Sequence, residues 1–89
     1  MMWEDVRPGD LIIIKHCQGR LPTEKWLITE VEQKVDRVEL TFLYKKSLYT
    51  HEQIAGRMIS MCFRSHRVEI FRSGQKILNA HDRISWVMG

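Results

Sequence analysis

The stretch VELTFLY, residues 38–44, restricts the fold of this chain more than any other. Val38, Leu40, Phe42 and Tyr44 fall on one side of an extended backbone, and Glu39, Thr41 and Leu43 on the other. Side chains of a strand alternate between faces, so a period of two predicts a strand with one face in a core. Upstream, in KWLITEVEQK, Trp26 is a strand former, and Leu27, Thr29 and Val31 alternate with Ile28, Glu30 and Glu32. The intervening KVDR, residues 34–37, reads as a turn, so the two runs predict an antiparallel hairpin.

Turn signals divide the rest of the chain. Pro8 fixes its own φ and Gly9 accepts a positive one, which suits the centre of a type II turn. The β-branched run Leu11–Ile14 follows and predicts a strand buried on both faces, with Lys15 and His16 marking its emergence into solvent. Residues 17–24, with Gly19 and Pro22, read as a loop. Within 45–58, Thr50 followed by Gln53 matches a capping box and Gly56 a stop, which predicts a short helix. Ile59 to Phe63 is a further candidate strand. In RVEIFRSGQKILNA, Val68 and Ile70 alternate with Glu69 and Phe71, and Ser73-Gly74 reverses the chain into a second hairpin. ISWVM closes the chain as a last strand.

The expected fold is therefore all-β, with five to seven short strands and one short helical turn. It forms either a small SH3-like barrel or a strongly bent antiparallel sheet. The chain's 89 residues allow one domain, 1–89. With 44% apolar and 28% charged residues the composition is that of a globular protein. No apolar stretch reaches bilayer-spanning length, and Glu4 and Asp5 stand where a signal peptide carries positive charge. Two cysteines far apart, Cys17 and Cys62, read as free thiols. Together these features predict a cytoplasmic protein.

The opening third carries a resemblance. Pro8-Gly9-Asp10, the run Leu11–Ile14, Gly19 and WLITEVE at 26–32 resemble the KOW element of some ribosomal and transcription proteins, itself part of an SH3-type barrel. RLPTEKW adds bulk where that family often has a second glycine. The resemblance implies a partner that is RNA, DNA or a protein of the transcription or translation machinery.

Charge adds a second indication. The net charge is +3, but residues 1–44 hold six basic against eight acidic groups and residues 45–89 eight against three. A basic C-terminal half suits nucleic acid or an acidic protein surface. Arg67 and Phe71 face outward if Val68 and Ile70 face the core, so an arginine could hold phosphate beside a stacking aromatic. Lys45, Lys46, Arg57, Arg64 and Arg72 would extend that surface, each phosphate contact releasing counterion. The plainer reading of the same residues is a solvated strand face with Glu69 pairing a neighbouring arginine.

Trp26 and Trp86 read as core or core edge. Trp3 reads as a cover over one end of the fold, or as an anchor for a partner if exposed. His16, Cys17, Cys62 and His66 are the residue types of a zinc site, but neighbours on a strand point to opposite faces and converge poorly. No phosphate loop, nucleophile elbow or paired-carboxylate motif is present, which predicts a non-enzyme without cofactor. The expected function is a binding module for nucleic acid. The alternative is a protein-interaction module, such as a phage accessory protein acting on a host enzyme or on the transcription machinery.

Overall fold

A computed structural model describes residues 1–16, 23–59 and 66–78. A 3-10 turn at Trp3–Asp5 precedes six strands: β1 Leu11–His16, β2 Glu24–Gln33, β3 Arg37–Tyr44, β4 Ser47–Ile54, β5 His66–Arg72 and β6 Gln75–Leu78. All neighbouring pairs are antiparallel, in the order β4-β3-β2-β1-β5-β6. Among the described residues the sheet stays open, with β4 and β6 as its edges.

The Pro8-Gly9 turn forms as the sequence predicts. Gly9 has φ 94°, and the Asp10 amide donates to the Arg7 carbonyl at 3.1 Å. The turn also extends the β1–β2 ladder, because Gly9 N–H donates to Ile28 O and Ile28 N–H to Asp10 O. A sharp reversal therefore sits beside a central strand in order to start its pairing.

One face of the sheet holds the core. Ile12 and Ile14 of β1, Trp26 and Ile28 of β2, Val38, Leu40 and Phe42 of β3, and Val68 and Ile70 of β5 are buried there. Trp26 stacks on Phe42 with centroids 4.2 Å apart. No second sheet covers this face among the described residues. The N-terminal segment does so with fully buried Trp3 and Val6, joined by Ile59. Ile59 N–H donates to Met1 O, Gln33 Nε2 to Glu4 O, and Gly56 N–H to Glu4 Oε1 at 2.7 Å, fixing the cover in place. Trp3 is thus a core residue and not an exposed anchor.

Three expectations need correction. Residues 45–58 form no helix. Lys45 and Lys46 make a two-residue reversal with φ 49° and 67°, the type I′ geometry, and β4 pairs with β3 from Tyr44–Ser47 to Arg37–Ile54. The capping-box match is a local signal, and the cross-strand ladder outweighs it. Second, Leu11–Ile14 is not buried on both faces: Leu11 and Ile13 are only half-buried, on the face away from the core, and pairing continues through His16. Third, the alternation through 26–32 is broken by a bulge between Ile28 and Glu30. Trp26 and Ile28 point inward, and the extra residue brings Val31, not Glu30, back onto the core side. The candidate strand after Ile59, Trp86 and the closing run ISWVM lie outside the described residues.

Candidate interaction face

The face away from the core is crossed by one continuous row. The registers place Leu48 across from Leu43, Leu43 across from Leu27, Leu27 across from Leu11, Leu11 across from Phe71 and Phe71 across from Lys76. Residues directly opposite in a ladder share a face, so five apolar side chains line up across five strands. Leu48 is 65% exposed, Leu27 41% and Leu43 37%, while Leu11 and Phe71 are half-buried. A scattered exposed leucine needs no explanation, whereas a contiguous apolar row on a sheet is a candidate contact surface.

Opposite charges flank the row. Toward the C-terminal end of β1, Lys25, Ile13 and Glu69 form the next rank, and Lys15 and Arg67 the one beyond. Glu69 is buried beneath two lysines: Lys15 Nζ contacts Oε1 and Lys76 Nζ contacts Oε2, both at 2.6 Å. Hydrogen bonds from Lys15 and then Lys76 hold its carboxyl below the usual carboxylate range, against the opposing effect of burial. Lys76 Nζ also lies 5.7 Å from the Phe71 ring centroid. With Lys25 and Arg67 exposed nearby, this end is cationic. At the other end, Glu32, Glu39 and Glu52 stand in one rank across β2, β3 and β4, with Glu30 beside them. Lys34 and Arg37 offset part of that charge, Arg37 Nη1 reaching Glu52 Oε2 at 3.0 Å.

The residues expected to form a basic stripe take separate positions. Lys45 and Lys46 occupy the β3–β4 reversal. Arg57 follows β4, at the opposite end of that strand. Arg67 is exposed on β5, and Arg64 lies outside the described residues. Arg72 is a structural cation: its Nε and Nη2 donate to the two carboxylate oxygens of buried Asp10 at 2.9 and 2.8 Å, and Nη2 also to Asp5 O. Asp10 accepts the Arg7 amide as well. Burial alone would raise its pKa, but the bonds from Arg72 and the Arg7 amide hold it below the ordinary value. The expected stripe therefore reduces to Arg67 and Phe71, which the registers join to Lys15, Lys25 and Lys76. Sequence reasoning missed these three lysines because their proximity depends on strand order. Among the described residues Glu69 pairs with lysines and not with an arginine.

His16 lies across from His66 in the β1–β5 register, and Cys17 and Cys62 lie outside the described residues. Among the described residues no three histidine, cysteine, aspartate or glutamate side chains gather to hold a metal, and no helix is long and apolar enough to cross a membrane. No family model, curated protein or solved structure matches this chain.

Proposed function

We propose that this protein is a non-catalytic binding module that docks a protein partner on the outer face of its sheet. The observation that carries this reading is the apolar row from Leu48 to Phe71. A complementary partner presents an apolar ridge to the leucines, with carboxylates placed to meet Lys15, Lys25, Arg67 and Lys76. The apolar contact supplies affinity, and the flanking charges set orientation and encounter rate. The KOW-like opening segment implies that such a partner belongs to the transcription or translation machinery.

Nucleic acid is the competing partner, on the cationic end alone: Lys15, Lys25, Arg67 and Lys76 would meet phosphates beside Phe71. Leucines offer no stacking face for bases and no charge for phosphates, so the row favours protein. A photo-crosslinking side chain at Leu27 or Leu43, in the chain expressed in its native cells, separates the two. Adducts that resist nuclease and persist in moderate salt are expected. Adducts that disappear with nuclease, together with DNA or RNA affinity falling steeply with salt, would transfer the site to nucleic acid. An absence of adducts from either position would remove the outer face as a working surface.

A further inference from the structure

Among the described residues the sheet has two edges of unequal kind, β4 and β6. β6, described over Gln75–Leu78, carries Lys76. β4 runs from Ser47 to Ile54 with no proline, lysine or arginine, and its register with β3 contains no bulge. Short edge strands, charged side chains (lysines above all), prolines and bulges are the devices that stop a free edge from pairing with another chain, and of these β4 has only the charge of Glu52.

The phase of the β3–β4 ladder shows what that edge offers. The Ala55 amide donates to Asp36 O at 3.0 Å, and Arg37 lies across from Ile54. Ser47, Tyr49, His51 and Gln53 therefore turn their N–H and C=O toward β3, and Leu48, Thr50, Glu52 and Ile54 turn theirs outward. Of those outward groups, only the Ile54 carbonyl has a backbone partner among the described residues, the Arg57 amide at 3.4 Å. Two of the side chains here are conspicuously bare: Leu48 is 65% exposed and Ile54 62%.

We propose that β4 is a homodimerisation edge, on which a second copy of this chain adds its own β4 antiparallel, about a two-fold axis at His51. Only this register pairs all four outward residues. It sets Leu48 across from Ile54 of the second copy and Thr50 across from Glu52. A register centred on Thr50 sets Leu48 against a glutamate, and one centred on Glu52 sets two carboxylates against each other, a destabilising cross-strand pair. The contact is isologous and closes after two copies. It also continues the apolar row, since Leu48 is its last member and Ile54 of the second copy adds to it. The pairing uses the edge and not the outer face, so it stands whether or not a partner docks there.

Sedimentation of the full chain from low micromolar to millimolar concentration, with residue-resolved amide hydrogen exchange, tests the proposal. A monomer–dimer equilibrium is expected. The amides of Leu48, Thr50 and Glu52 should exchange fast when dilute and slow as the dimer forms, while those of Tyr49, His51 and Gln53 are protected throughout. Leu48→Lys and Ile54→Glu should each weaken the dimer, by about tenfold for one lost cross-strand apolar pair and its symmetry mate. The double variant L48K/I54E should recover it, because opposite charges then lie across from each other in both halves. A chain that stays monomeric over the whole range would overturn the proposal. So would Leu48, Thr50 and Glu52 amides already protected in dilute monomer, which would show the edge covered by the chain itself. A dimer that tolerates both single variants and is lost on Leu27→Glu would move the contact to the outer face. The exchange measurement uses the unaltered protein and stands if a variant fails to fold.

Discussion

At the residue scale, two buried carboxylates and one histidine govern how this protein responds to pH. Asp10 and Glu69 bind protons less tightly in the fold than their ordinary values of 3.8 and 4.5 imply, because Arg72 and the Lys15–Lys76 pair favour the charged forms against the opposing effect of burial. The unfolded chain then takes up more protons in acid, so stability is full at neutral pH and declines as pH falls below about 4.5. Urea unfolding over that range should show the decline, and Glu69→Gln should flatten part of it. Arg72→Met removes both side-chain donors from buried Asp10 and should destabilise the fold, the consequence of stranding a buried carboxylate. His51 acts in a different window. Its ring is half-buried between Trp3, at 5.9 Å, and Trp26, at 5.5 Å, and accepts from Gln53 Nε2 at 2.7 Å. Burial lowers its pKa from the ordinary value of 6.5. The stability it contributes is complete above that value and declines as pH drops through the lower folded-state value. A ring titration by NMR should give a midpoint below that of an unfolded peptide, and an unshifted midpoint would refute the assignment.

At the scale of elements, the β3–β4 hairpin is the instructive case. Its reversal uses two lysines at positive φ, where side chains with a Cβ are strained. Asn and Gly are the residues that type I′ turns select. Replacing the pair, Lys45→Asn with Lys46→Gly, should therefore stabilise the protein by about 1 kcal/mol. The same variant bears on function. If it leaves nucleic-acid affinity at low salt unchanged, Lys45 and Lys46 take no part in any phosphate contact. The Ser73-Gly74 reversal, with φ 52° and 80°, already has glycine at its second position, and it was correspondingly easy to read.

At the scale of the whole molecule, a one-layer sheet is kept folded by a short cover. Trp3 is fully buried although it is the third residue of the described chain, and the segment around it is tied to β2 and to the end of β4. Trp3→Ala should cost about 3–5 kcal/mol, as for other large-to-small changes at buried aromatics. Denaturant midpoints would measure it, and a loss under about 1 kcal/mol would mean that the core closes without this cover. The outer face has no such cover among the described residues, and the proposed docking relies on that asymmetry.

Local chemistry was legible in the sequence. Val38, Leu40 and Phe42 alternate into the core as their spacing requires, Pro8-Gly9 and Ser73-Gly74 turn the chain, and the all-β class follows from runs too short for helices between turn residues. These features depend on neighbours within a few positions, which a linear sequence displays. Strand order depends on distant segments, and so does everything built on it. The basic residues of the second half were expected to gather, yet Arg72 answers to Asp10 across the turn and Arg67 stands beside Lys15. The bulge at Ile28–Glu30, the strand at 47–54 and the alignment of Leu48, Leu43, Leu27, Leu11 and Phe71 were settled only by which strands became neighbours and in what register. Periodicity assigns each side chain to a face of its own strand, and tertiary pairing alone decides which side chains share that face.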